Sequence, residues 1–219
     1  MQKSANSDEN YMFQPNLANK EFDFIRTITQ EIKRHDVFLD TNIGEPFIYR
    51  DFISLLFNAG EQDIVNICIN SQGGNLNSAV AIIEGIKHSN ANVTGVIMGE
   101  CYSAASMIAL SCHNIIVLDS ANMMIHTASF GTAGNTGNVK AYTDFTVNEV
   151  EKLISATYSG FLTKEEIDKV KTGVEIWLSA DDIRKRMENR AKYLESLETK
   201  EEKTTAATKK PRARKKPQS

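Results

Sequence analysis

A chain of 219 residues, 41% hydrophobic and 24% charged, is long enough to bury one sizeable core. Its three cysteines, Cys68, Cys101 and Cys112, lack metal-ligand spacing and sit in or beside apolar runs, which predicts reduced, buried thiols in a cytosolic protein. The polar opening "MQKSANSDENYMFQPN" has no apolar signal-peptide segment, no run approaches the ~18 apolar residues of a membrane span, and the net charge of −3 hides six cations in "KKPRARKK" (209–216) against −9 elsewhere.

In chain order, residues 1–16 read as a flexible N-terminal segment. Residues 17–34 set Phe22, Ile25, Ile28 and Ile32 on one stripe and predict an amphipathic helix. "VFL" (37–39) reads as a short strand, 47–58 as a helix, and "DIVNICIN" (63–70) as a buried strand. The turn "SQGG" leads to a helix in which Val80, Ile83 and Ile86 share a face. A strand at 93–98 ends at Gly99, and a helix begins near Ser103. Strands follow at 115–118 and 123–126, then the glycine-rich loop 131–137 and helices over 138–158 and 163–172. Thr163 and Glu166 have capping-box spacing, and Ser179 with Asp182 opens a last helix in a weaker version of it. Strands alternating with helices predict one α/β domain with a largely parallel, βαβ-rich core over 17–198. Residues 199–219 read as a disordered basic tail, either a solubilising or sorting element or a contact for nucleic acid or an acidic partner.

The chemistry concentrates in "GECYSAASMIALSC" (99–112), where a strand passes into a helix. Reactive groups in α/β units are displayed at such junctions, and unpaired amides at a helix start can stabilise an oxyanion. Ser103 and Ser106 are both candidates: on a helix they differ by only ~60° of rotation. A serine needs a base, and of four histidines only His126 ends an apolar strand ahead of a flexible loop. His126 is thus either a general base or a structural imidazole. The pair Gly73-Gly74 at another strand-to-helix junction either lets amides approach a ligand or forms a bare tight turn.

In that order, "INSQGG", "MGECYSAAS" and "MMIH" resemble the "INSPGG" turn, the "GxxxS" segment and the "MIH" strand of the Clp protease proteolytic subunit (ClpP) family, over roughly residues 21–185. The resemblance implies a ClpP/crotonase-like fold with an interlocking handle formed by 131–137 and the helix after it. It implies a serine endopeptidase with Ser103 as nucleophile, His126 as base and Glu175, in "GVEIWLSADD", in place of the family's aspartate. Ala104 with Gly73 or Gly74 would form the oxyanion hole, and Ser106 becomes a packing residue. Asp168 is the alternative third member.

The same resemblance implies peptide or unfolded-protein substrates, paired heptameric rings of this chain and a possible separate AAA+ unfoldase. The chain has no Walker-type loop, so no cofactor is expected in it and ATP acts only through that partner. A cytoplasmic location follows, the host cytoplasm if the chain is phage-encoded, and no metal or membrane is called for. Gln72 replaces the family's proline, and a charged helix replaces its terminal strand. Glu175 in place of the aspartate and the altered C-terminal end motivate one rival, a catalytically silent ring subunit; a second, a crotonase-type acyl-CoA enzyme, shares a related core fold and also uses glycine-turn amides.

Overall fold

The computed structural model describes residues 32–208. Along the chain run β1 (Arg34–Leu39), a single 3-10 turn (Pro46–Tyr49) continuing into α1 (Arg50–Asn58), β2 (Ile64–Ser71), α2 (Leu76–Lys87), β3 (Asn92–Tyr102) and α3 (Ala104–Ser111). After these come β4 (Asn114–Val117), β5 (Asn122–Ile125), α4 (Thr136–Tyr158), α5 (Lys164–Lys171), β6 (Ile176–Ser179) and α6 (Ala180–Thr208).

The sheet order is β1-β2-β3-β5-β6, with β4 also paired to β3. All pairs are parallel except β5 with β6. The length of β3 makes this possible: Thr94–Ile97 pair with β4, and Glu100–Tyr102 pair with β5. Period-2 alternation turns Val65, Ile67 and Ile69 of β2 and Val93 and Ile97 of β3 into the core, all fully buried. Each such side chain contributes about 1.5–3 kcal/mol of burial. α3 carries small residues (Ala104, Ala105, Ser106, Ala109), so its axis can pack close on β3 and against α2.

The helix ends are specified locally. Asn75 Oδ1 caps α2 by accepting from Ser78 N at 3.1 Å. The predicted capping box of α5 is formed, with Thr163 Oγ1 and Glu166 Oε2 each accepting from the other residue's amide. Ser179 and Asp182 make the same reciprocal bonds at the start of α6.

Three arginines then tie α6 to the body. Arg184 reaches Asp119 (2.6 Å) and the Val117 carbonyl, and Arg186 grips Glu166 bidentately at 2.8 and 2.7 Å. Arg190 donates to the carbonyls of Thr157, Ser159 and Leu110 at 2.7, 3.1 and 3.0 Å.

Four expectations are corrected. Residues 34–39 form one strand and residues 32 and 33 are not helical, so Arg34 belongs to β1 rather than to the end of a helix; the part of that predicted helix up to residue 31 lies outside the described residues, as does the N-terminal segment 1–16. β3 does not stop at Gly99 but runs to Tyr102, because the Asn70 side chain spans the register shift in β2 and accepts from Glu100 N at 2.9 Å. α4 starts inside the glycine-rich loop, at Thr136, capped by Asn135. α6 passes residue 199 and continues to Thr208, through a segment of helix-favouring Glu, Lys and Ala. Residues 209–219 lie outside the described residues.

Candidate active site

β3 delivers Ser103 and β5 delivers His126. The amide of Ser103 donates to the Met124 carbonyl at 2.8 Å, fastening the end of β3 to β5 just ahead of the histidine. Ser103 then turns at φ 54°, ψ −123°, the only positive φ of a non-glycine among the described residues. That conformation ends the strand abruptly, starts α3 at Ala104 and projects the hydroxyl sideways. His126 Nε2 lies 2.7 Å from Ser103 Oγ.

The glycine turn is built around the same point. Gly73 and Gly74 have φ of 90° and 143°. A Cβ at Gly73 would come within 2.6 Å of the Tyr102 carbonyl and 2.8 Å of Ser103 Cβ; one at Gly74 would meet the Ile43 carbonyl at 2.3 Å. Only glycine fits either place. Residue 43 holds the turn, its amide donating to Gly73 O and its carbonyl accepting from Asn75 N, both at 2.8 Å. Ser71 Oγ donates to Thr41 O and accepts the Gly73 amide at 3.1 Å. The Gly73 N–H is therefore spent inside the turn. Among the described residues no hydrogen bond takes the amide of Gly74 or of Ala104.

Glu175 has a position but no bond to the imidazole. Ile125 pairs with Ile176 in the antiparallel β5–β6 ladder, so one further step of that register sets His126 opposite Glu175. Its Oε2 accepts from Trp177 Nε1 at 3.2 Å, and Trp177 is held edge-on against Tyr102, with ring centroids 5.3 Å apart. Among the described residues nothing hydrogen-bonds His126 Nδ1. Asp168 is exposed on α5 and makes no hydrogen bond to His126.

Ser106 is fully buried and bonded to the Ser103 carbonyl and the Tyr158 hydroxyl. The other histidines do other things: His35 lies in β1, His88 Nδ1 meets the Glu84 carbonyl, and His113 Nδ1 accepts from Val93 N. Burial pushes the Cys101 thiol well above its ordinary range and the Cys112 thiol up to about 12, so both are neutral packing groups near neutral pH.

Ser103, His126 and Gly74 line a cleft of ≈ 530 Å³. Met107, Leu153 and Ile154, with Phe130 and Tyr142 packed edge to face, give it an apolar side, and Gln72, Asn75, Asn77, Ser129 and Thr146 add polar groups to its lining. Among the described residues no cluster of His, Cys, Asp or Glu could hold a metal ion, and no helix is long and apolar enough to cross a membrane.

Sequence reasoning missed Trp177 and Tyr158. Trp177 carried a usable signal, since residues two apart on a strand share a face and it stands two after Glu175. Tyr158 carried none, being 52 positions from its partner.

A mixed α/β fold whose sheet brings a serine and an imidazole together in one cleft has the features of the serine-type peptidases. The family model described as Clp protease matches residues 19–199, and the chain belongs to that family. No curated protein matches it.

Proposed function

We propose that this protein is an active endopeptidase of the ClpP type, with Ser103 as nucleophile and His126 as general base. The observation that carries the reading is the 2.7 Å approach of Ser103 Oγ to His126 Nε2 at a strained turn opening on the cleft. In the tautomer with a proton on Nδ1, the hydroxyl donates to Nε2. On attack, Oγ bonds to the peptide carbonyl carbon and its proton passes to Nε2. The resulting oxyanion takes hydrogen bonds from the free amides of Gly74 and Ala104. His126 returns the proton to the departing amine as the C–N bond breaks. Water, deprotonated by the same nitrogen, then hydrolyses the ester and restores Ser103.

Glu175 fits the role of orienting the imidazole through Nδ1–H, with the longer glutamate reaching where an aspartate serves in the family. To do so its carboxylate must leave the indole of Trp177. The peptide would lie extended along the glycine turn, adding a strand beside residues 72–75, with an apolar side chain entering between Met107, Phe130 and Leu153. The family relation supports unfolded or processed proteins as substrates, stacked rings of this chain as the assembly, and a separate ATP-driven unfoldase. Exposed Tyr142 and Phe145 on α4 suit burial against a second copy.

A silent ring subunit is the second reading, and the Glu175–Trp177 bond is what favours it. A fluorophosphonate probe separates the two. Wild type should be labelled on Ser103, and Ser103→Ala should neither label nor cleave a peptide. An unlabelled, inert wild type would overturn the proposal.

A further inference from the structure

We infer that Ser106 and Tyr158 are positioning residues that hold the Ser103–Ala104 peptide plane in the orientation aiming the Ala104 N–H into the cleft. The inference rests on the serine-peptidase reading above and goes beyond it by assigning a role to a buried pair outside the catalytic groups.

Directionality comes first. The Ser103 carbonyl can only accept, so the single proton of Ser106 Oγ is committed to it, at 2.7 Å. Tyr158 OH, also 2.7 Å from Ser106 Oγ, must then be the donor in that contact. The result is a one-way chain, from Tyr158 OH to Ser106 Oγ to Ser103 O. Both side chains are essentially inaccessible, with exposures of 0% and 1%, so no water competes for these bonds.

The second point is geometric. A carbonyl and the following N–H share one rigid plane and point in opposite directions. Fixing Ser103 O on the buried side therefore fixes the Ala104 N–H on the open side. An ordinary helix start would secure that carbonyl through the amide four residues on, but here the Met107 amide stands off at 3.4 Å, against 3.0 Å for the Ser106 amide. The shortest bond to this carbonyl is the hydroxyl's. It acts on a residue whose φ of 54° favours rotation away from the observed plane.

The third point is the anchor. Tyr158 is the last residue of α4, and the neighbouring Thr157 carbonyl is fixed by Arg190 of α6 at 2.7 Å. The phenol therefore has a fixed seat, and the chain links two helices to one amide. A packing role alone would require only volume, which alanine at 106 and phenylalanine at 158 nearly preserve.

The test uses Ser106→Ala, Tyr158→Phe and the double variant in the full-length protein, with a fluorogenic peptide and a fluorophosphonate. Each single change should lower kcat about 10-fold and slow fluorophosphonate labelling similarly, with KM within twofold. Because one chain is cut in either place, the double variant should resemble the worse single variant. Near-wild-type kcat in either folded single variant, a loss confined to KM, or multiplying losses in the double variant would each overturn the inference. If Tyr158→Phe does not fold, Ser106→Ala alone decides through its kcat and labelling rate. Failure of wild type to label would instead remove the serine-peptidase reading on which the inference stands.

Discussion

Replacing Ser103 separately by glycine and by alanine isolates the strain in the turn from the chemistry of the hydroxyl. Both variants lose the bond to His126 Nε2, so their difference in stability reports the Cβ alone. At φ 54°, ψ −123° the backbone sits near the first central position of a type II′ turn, where glycine is favoured. A non-glycine residue there costs about 1–3 kcal/mol. Glycine gives back about 0.5–1 kcal/mol through its freer unfolded chain. The balance favours Ser103→Gly over Ser103→Ala by about 0.5–2 kcal/mol, or about 1–8 °C in Tm for a chain of this size. Thermal melting with urea unfolding, at one fixed protein concentration because association shifts apparent stability, measures the difference. If the glycine variant melts at or below the alanine variant, the turn stores no strain and the account of how Ser103 is presented fails.

Glu175→Ala should lower kcat/KM by about 10²–10⁴-fold, as expected when an imidazole loses the group that orients it; a change of only a few-fold in peptide turnover would remove Glu175 from the mechanism. Arg186 holds the Glu166 carboxyl down at about 2 from its ordinary 4.5, chiefly through their paired hydrogen bonds. A lowered carboxylate pKa adds stability above 4.5, and that contribution is lost as pH falls from 4.5 towards 2. Wild type should therefore exceed Glu166→Gln, which keeps the helix cap, by about 1–2 kcal/mol at neutral pH, allowing for partial exposure of the pair. The gap should close on acidification, and a gap independent of pH in urea titrations would refute the assignment.

What the sequence made legible followed from local physics. β-branched runs marked β2 and the first half of β3, the glycine pair marked a turn no other residue fits, and Thr163 with Glu166 located the start of α5 to the residue. Helical phase could not choose between Ser103 and Ser106; their environments differ completely, one hydroxyl against an imidazole and the other sealed beneath Tyr158. The extension of β3 was hidden because Gly99 looks like a stop, whereas a side chain thirty positions away repairs the ladder. "IRKRMENRAKYLESLE" reads only as a charged helix, with nothing to show that its arginines spend their donors on carbonyls and carboxylates of the body. Such long-range pairing has no periodicity to read. The side-chain state of Glu175 belongs to the same group, since its neighbour Trp177 is oriented by Tyr102 from another strand.

Cys101 gives the molecule a natural clock. It stands two residues before Ser103, has no exposed surface, and its thiol is held protonated by burial. An alkylating reagent can capture it only during moments when the layer behind the nucleophile parts from its surroundings. Half-buried Cys68, on the neighbouring strand β2, would be consumed sooner. The ratio of the two capture rates, followed by mass spectrometry without any introduced label, would time how often the framework behind Ser103 breathes, and whether a bound peptide quiets it.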